Sequence, residues 1–233
     1  WSAPALMGYG APLPNFQQPG APYAAALLEL LITADSVNAV RLLYILSILL
    51  TGTMTYLFVT QWGGVRAGII SSLLILYSPY VGLTAPHILG ALSQSMAIAL
   101  LPTLLWATNR LLQRNRPIDL LTVALVMAAL ILCHVRLAAV GAILSIVFGL
   151  IYTPSTNNPY HRIYLIAAII FGAALSSFFW IPALLEANTV TWQSPVYTPR
   201  EIPLRWQDFF MPLARVDLSE LNPLPQFRLG MGS

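Results

Sequence analysis

The sequence has little charge, one cysteine and no lysine. Charged residues make up 8% of the 233 residues and apolar residues 58%, so there is too little polar surface to cover a soluble globule of this length. The basic residues are all arginine and are scattered, so the net charge of +3 gives no support for nucleic-acid binding. The single Cys133 excludes a disulfide framework and a thiolate metal cluster.

The signatures of soluble enzymes are also missing. The chain has no Gly-rich phosphate loop opening a helix, no Gly-x-Ser-x-Gly, no His-Glu-x-x-His and no paired Cys-x-x-Cys. The three histidines, His87, His134 and His161, lie far apart. In the topology predicted below, His161 falls on the opposite face from the other two, so the three do not form one metal site.

Long uncharged stretches are the dominant feature. They cover residues 42–65, 67–109, 137–160 and 163–185, and about 20 apolar residues are enough to cross ~30 Å of hydrocarbon. The sequence therefore predicts an all-α integral membrane protein with about six transmembrane helices. We place these helices at residues 38–61, 65–79, 87–112, 118–134, 136–153 and 162–186.

Three regions follow from this assignment. Residues 1–37 are predicted to form an external loop and a membrane-surface helix, which starts near Pro22 and runs to about Ala34. Residues 38–186 form the transmembrane bundle, and residues 187–233, rich in proline and aromatic residues, form an external irregular segment. The chain begins at Trp1 in a polar stretch and stops in mid-loop, so we expect further sequence on both sides.

The arginines orient the bundle. Short cytoplasmic loops retain arginine, and alternate connections carry five of them. These are Arg66, Arg110, Arg114, Arg116 and Arg162. The opposite, external face then contains the N-terminal loop, the 80–87 loop, the reversal near His134 and the C-terminal segment.

Several polar residues lie on that external face, and each of them allows two interpretations. Asp35 and Arg41 either pair or simply cap and anchor a helix end. His134 and Arg136, at a turn near membrane depth, are a functional pair, or Arg136 only reaches toward lipid head groups. Glu186 is either a substrate or metal carboxylate or an interfacial helix-end acid.

The polar groups of the first loop are also candidates. Tyr9, Asn15, Gln17 and Gln18 suit a hydroxylated ligand, or they hold their own loop together. The predicted substrate-binding set is Tyr9, Asn15, His134, Arg136 and Glu186. Catalytic residues are not identified.

Four stretches carry a resemblance to a known family. They are Trp1-Ser-Ala-Pro-Ala-Leu-Met-Gly-Tyr-Gly-Ala-Pro-Leu-Pro-Asn-Phe-Gln-Gln-Pro-Gly-Ala-Pro-Tyr23, His87-Ile-Leu-Gly-Ala-Leu-Ser-Gln-Ser-Met-Ala97 with Pro102, the His134 position, and Phe179-Trp-Ile-Pro-Ala-Leu-Leu-Glu186. Together they resemble polytopic bacterial membrane proteins of the GT-C glycosyltransferase fold. The nearest group is that of the 6-pyruvoyl-tetrahydropterin-synthase-related membrane proteins.

This resemblance implies a function at the external face of the bacterial cytoplasmic (inner) membrane. GT-C proteins move sugar from a polyprenyl-phosphate carrier to an acceptor, with an acidic residue of the first external loop as base or metal ligand. That acid is expected upstream of Trp1, and Gln94 stands where related sequences often carry Glu. The cofactor is therefore unknown, with a divalent cation as the candidate.

Two functions remain open at this level. The first is a glycosyltransferase-like protein whose partners are membrane lipid and lipid-linked sugar, with Arg136 or Arg200 stabilising the departing phosphate. The second is a non-catalytic subunit of a larger membrane complex, which the lost acidic positions favour. Transport is disfavoured because the predicted spans have few ionisable residues.

Overall fold

The computed structural model describes residues 18–151 and 160–186, and every regular element in these two ranges is helical. This confirms the all-helical prediction for the described part of the chain. The helices are α1 (Gly20–Leu28), α2 (Ser36–Leu76), α3 (Leu92–Arg114), α4 (Pro117–Cys133), α5 (Val135–Ile151), α6 (His161–Leu175) and α7 (Ser177–Glu186). Two π-helical turns, Glu29–Thr33 and Tyr80–Ile88, follow α1 and α2.

The short N-terminal helix is found where the sequence predicts one, starting two residues before Pro22. It continues through the first π-helical turn and stops at Ala34, which takes a left-handed conformation (φ 51°). Asp35 then caps α2, because its carboxylate accepts a hydrogen bond from the backbone N–H of Val37 at 3.3 Å. Of its two readings, the structure supports the helix cap.

α2 is a hairpin of two helical arms rather than one straight helix. At Gly64 the backbone leaves helical geometry (φ 75°, ψ −179°), a conformation that is open essentially only to glycine. The arms fold back on each other, since the Ser72 hydroxyl donates to the carbonyl of Gly52 at 2.9 Å. Nearer the turn, Gly68 lies directly against the side chain of Thr60. The predicted break between residues 61 and 65 is confirmed.

The connection after the hairpin differs from the prediction. Residues 80–85 are predicted as a loop and the next helix from 87, but Tyr80–Ile88 form a π-helical turn and α3 begins only at Leu92. Pro86 supplies no N–H, and the N–H groups of Leu89 and Ala91 donate to carbonyls five and six residues earlier. The wider turn thus accommodates the proline, and Gly90 (φ 57°) ends it.

α3 to α6 form an antiparallel bundle in which successive helices alternate in direction. Gly141, early in α5, packs against Leu130 late in α4, while Gly149 near the end of α5 packs against Leu165 near the start of α6. Since α5 is antiparallel to both neighbours, α4 and α6 run in the same direction, and Gly172 of α6 lies against the Ala124 carbonyl of α4. With the two arms of α2, six passes therefore alternate.

The two ends of this bundle differ in charge. The end that carries Arg66, Arg110, Arg114, Arg116 and Arg162 is called the arginine end below, and the opposite end, with the turn between α4 and α5, the His134 end. The helix directions thus confirm the prediction that these five arginines lie at one end of the bundle. His161 begins α6 at the arginine end, apart from His87 and His134.

The last predicted span, residues 162–186, is broken. α6 and α7 meet at Ser176 with a bend of 67°. The carbonyl of Ala173 accepts hydrogen bonds from the Ser176 hydroxyl (3.1 Å) and the Trp180 indole (2.9 Å). Side-chain donors thus take a carbonyl that a continuous helix would offer to a backbone N–H, which is a recognised cause of a sharp kink.

The outer surface is apolar, and the interior, which is built mainly of leucine and alanine, also contains buried polar groups. Leu30, Tyr77, Ile151 and Leu185 are each more than 70% exposed, whereas Asn109 and Ser145 are fully buried. Such an inverted surface suits lipid rather than water. By length and composition, α2, α3 and the bent pair of α6 and α7 are the candidate membrane spans among the described residues.

Candidate functional site

One residue makes the turn between α4 and α5. His134 has extended backbone geometry (φ −163°, ψ 96°), and its N–H donates to the Leu130 carbonyl of α4 at 2.7 Å. Its own carbonyl accepts from the N–H of Ala138, the first hydrogen bond of α5, at 2.9 Å. The reversal predicted at this position is therefore confirmed. α4 ends at Cys133 and α5 begins at Val135.

The His134 ring also caps α5. Its Nδ1 accepts a hydrogen bond from the backbone N–H of Leu137 at 3.3 Å, as an N-cap oxygen would. Burial, followed by the positive charge of Arg136, lowers the pKa of His134 from its ordinary value. The ring is thus favoured in the neutral form with its proton on Nε2, and it presents one N–H donor at the turn.

Arg136 lies exposed on the first turn of α5. Within residues 18–151 and 160–186 it has no carboxylate partner, since the single ion pair there joins Arg110 and Asp119. All donors of its guanidinium can therefore serve an external acceptor, and a planar guanidinium suits a phosphate. The choice between a functional role and a lipid-anchoring one stays a prediction.

The start of α1 lies directly against this turn. A methyl group on Gly20 would stand 2.8 Å from the Cys133 sulfur and 2.9 Å from the Leu132 carbonyl carbon. The start of α1 therefore contacts the bundle within one residue of His134. Gly20 was not among the predicted site residues, although a glycine at a helix start is a signal of close backbone approach.

The other predicted site residues have different outcomes. Glu186 is half-buried at the last position of α7, the helix that follows α6 after the bend at Ser176. Tyr9 and Asn15, like Gln17, lie outside the described residues, so their placement stays a prediction. The structure thus brings together His134 and Arg136 and places the start of α1 beside them.

The polar contacts inside the bundle were not predicted. Asn109 donates to Gln61 of the first arm of α2 and accepts from Gln113 (3.3 Å), and the hydroxyl of Thr108 donates to that of Ser145 (3.3 Å). The hydrogen bonds join α3 to α2 and to α5. The Thr108–Ser145 pair is buried, whereas Gln61 and Gln113 are exposed near the arginine end. Their sequence signal is weak, because single amides and hydroxyls are common in apolar helices.

Gln94 has a structural role in the described part of the chain. Its amide donates to the hydroxyl of Tyr80 and so ties the start of α3 to the preceding π-helical turn. The described ranges contain no group of three His, Cys, Asp or Glu side chains that could hold a metal ion. The residues seen at the His134 end therefore do not fit a metal centre by themselves.

The fold and its surface define a class of protein: an all-helical membrane protein with a polar turn at one end. A comparison with protein families narrows this class. The family model described as a 6-pyruvoyl-tetrahydropterin synthase related domain of membrane proteins matches residues 15–221, so the chain belongs to this family. No similar curated protein and no similar solved structure was found.

Proposed function

We propose that the protein is a glycosyltransferase-like enzyme that acts on polyprenyl-phosphate-linked sugar at the external face of the bacterial inner membrane. The proposal includes a GT-C-like arrangement in which all six helical passes cross the bilayer and the arginine end faces the cytoplasm. The observation that carries it is the packing of Gly20 against Cys133. It places the start of α1 against the turn that carries His134 and the exposed Arg136. In this proposal the loop that precedes α1 supplies hydrogen-bonding side chains to the same turn.

The length of the passes is compatible with this arrangement. α4 and α5 have 17 residues each, which at 1.5 Å per residue is about 26 Å and needs little local thinning of the bilayer. The second arm of α2, residues 65–76, is about 18 Å long by the same measure. This arm is long enough to cross the bilayer only together with the π-helical turn Tyr80–Ile88 that follows it.

The proposed reaction is a transfer of the sugar to an acceptor hydroxyl. A new bond forms from the hydroxyl oxygen to the anomeric carbon, the bond from that carbon to the lipid phosphate breaks, and the hydroxyl proton passes to a carboxylate. In this proposal Arg136 binds the departing phosphate and the His134 Nε2–H donates to the same group or to the sugar. The carboxylate comes from outside the described residues, as does any ligand set for a divalent cation.

The experiment uses the full-length protein in proteoliposomes with a radiolabelled polyprenyl-phosphate sugar. We expect label to move from the organic phase to an acceptor, and a His134→Ala variant to do so at least tenfold more slowly. Absence of transfer with every polyprenyl-linked sugar tested, in a protein that is folded by thermal melt, would contradict the proposal.

The second candidate function is a non-catalytic subunit of a larger membrane complex. It is favoured by the role of Gln94, whose amide makes an internal hydrogen bond to Tyr80 and carries no charge. Its test is purification in mild detergent from the native membrane. Stoichiometric co-purification of other membrane proteins, together with absent sugar transfer, would support this function over the enzymatic one.

A further inference from the structure

At the arginine end, the orientation of Arg110 is fixed by two contacts. Arg110 Nε donates to Asp119 Oδ1 at 3.1 Å, and its guanidinium carbon lies 4.8 Å from the centre of the Trp106 ring. Asp119 is 2% exposed, whereas the arginine side chain remains 32% exposed. One edge of the guanidinium is therefore held inside the bundle, and its terminal N–H groups are left for a partner outside it.

A second arginine continues the same face of α3. Arg114 is one turn beyond Arg110, and residues four apart are neighbours on a helix. Arg114 is exposed, as is Arg116 at the start of α4. Two like charges at this spacing disfavour each other unless an anion lies between them.

The acidic residue described at this end already forms an ion pair. Among the described residues Asp119 is the sole acid there, and it is committed to Arg110. Its second oxygen, Oδ2, is buried and has no hydrogen-bond partner among those residues. Asp119 therefore orients Arg110, and within residues 18–151 and 160–186 Arg114 and Arg116 have no counter-ion.

The surroundings indicate a lipid rather than a soluble anion. On α4, next to Asp119, the side chains of Ile118 and Leu125 are 59% and 53% exposed, and Leu121 is 39% exposed. These three side chains share one exposed face of α4, at intervals of three and four residues, and the face begins in the first turn of the helix. An apolar stripe below a cluster of arginines suits an acyl chain with a phosphate head group above it.

We propose that Arg110 and Arg114, with Trp106 and Asp119 fixing the first of them, form a binding site for the phosphate of an anionic phospholipid at the arginine end. Each guanidinium supplies paired N–H donors to phosphate oxygens, in a geometry that lysine does not reproduce. The site is separate from the proposed sugar-transfer site, which lies at the other end of the bundle, and its test does not depend on that activity.

The test is native mass spectrometry of the full-length protein in a non-ionic detergent, titrated with phosphatidylglycerol and phosphatidylcholine. We expect the wild-type protein to bind phosphatidylglycerol more tightly, and Arg114→Gln to weaken that binding at least fivefold. Arg110→Gln alone leaves the buried Asp119 carboxylate unpaired and is expected to destabilise the protein. The double variant R110Q/D119N removes both charges, and a thermal melt checks that it is folded. Its affinity for phosphatidylglycerol should also fall at least fivefold.

Matched controls separate this site from general charge attraction. Arg41→Gln removes an exposed arginine at the opposite end and should leave phosphatidylglycerol binding within twofold of wild type. If phosphatidylglycerol binding falls equally in all variants, or does not fall in R110Q/D119N and Arg114→Gln, the proposed site is wrong. Glycerol 1-phosphate is the remaining arm: if it binds as tightly as phosphatidylglycerol with the same dependence on arginine, the ligand is a soluble phosphate and the lipid assignment is wrong.

Discussion

Gly20 and Cys133, which are far apart in sequence, are packed so closely that a Cβ atom at position 20 would stand 2.8 Å from the Cys133 sulfur. The first residue of α1 has no side chain, and this allows it to lie against the last turn of α4. The contact joins the N-terminal region to the turn that carries His134. A change at this contact therefore affects both the packing and the candidate site.

Gly20→Val should destabilise the protein. The added atoms meet the Cys133 sulfur and the Leu132 backbone at less than 3.0 Å, and overpacking of this kind costs about 1–3 kcal/mol. Thermal melting in detergent measures the effect, and Ala26→Val, at an exposed position of the same helix, is the control. Equal melting temperatures for the two variants would show that the contact is not formed.

The break in α2 gives a second prediction. Gly64→Ala places a Cβ in a backbone region that non-glycine residues avoid, at a cost of about 1–3 kcal/mol. Val65→Ala, at the exposed neighbouring position, should change stability much less. A hairpin that is unaffected by Gly64→Ala in a thermal melt would contradict the observed conformation.

His134 should make the stability depend on pH. Its pKa is lowered in the folded protein, so the unfolded chain binds the proton more readily. The contribution of His134 to the free energy of unfolding is therefore fully present above the ordinary pKa of 6.5. It decreases as the pH falls below that value and stops changing below the lowered pKa of the folded protein. Protonation also removes the Nδ1 acceptor that caps α5.

Melting curves between pH 5 and pH 8 (about the range in which histidine titrates) check this. His134→Asn keeps a side-chain acceptor for the Leu137 N–H but does not titrate, so it should flatten the dependence while retaining most of the stability. His134→Ala removes the cap as well and should cost about 1 kcal/mol at neutral pH. Identical pH profiles for wild type and the Asn variant would assign the dependence to another group.

Sequence reasoning located the helix breaks that have a local cause. The break near residue 64 has two adjacent glycines, and the turn at residue 134 is the polar interruption of an apolar run. The bend at Ser176 was missed because it depends on hydrogen bonds from Ser176 and Trp180 to a carbonyl of the preceding turn. Serine and tryptophan in an apolar helix do not by themselves indicate such an arrangement.

The candidate site was predictable only in part. His134 and Arg136 were singled out because ionisable residues near membrane depth are costly unless they have a role. The approach of Gly20 to the same turn is a tertiary contact between residues more than a hundred positions apart, and no local pattern encodes it. The Arg110–Asp119 pair was missed because Asp119 could be assigned to a helix start without reference to α3.

Membrane orientation is tested by labelling. With Cys133 replaced by alanine, cysteines at Asn115 and Asn157 should react only from the cytoplasm, and one at Asn222 only from outside. Asn38, exposed near the start of α2, should also label from outside. Reaction of the Asn115 and Asn38 variants from the same side would contradict the alternating passes, and a full inversion would move the candidate site to the cytoplasm.

The sharpest prediction for function concerns Arg136. Arg136→Lys keeps the positive charge but replaces a planar, bidentate donor with a compact ammonium group. If the guanidinium stabilises a departing lipid phosphate, sugar transfer should fall at least tenfold, which corresponds to about 1.4 kcal/mol of lost transition-state stabilisation. The exposed position of Arg136 and the absence of an ion-pair partner among the described residues predict an unchanged melting temperature.

The control is Arg41→Lys, an exposed arginine at the same end of the bundle. It should leave transfer within twofold of wild type, since any general attraction of anionic carriers to positive charge is retained in both variants. A loss confined to Arg136→Lys therefore reports on hydrogen-bond geometry rather than on charge. Unchanged transfer in Arg136→Lys, assayed in the full-length protein with its native carrier, would leave Arg136 as a lipid-anchoring residue and favour the structural-subunit function.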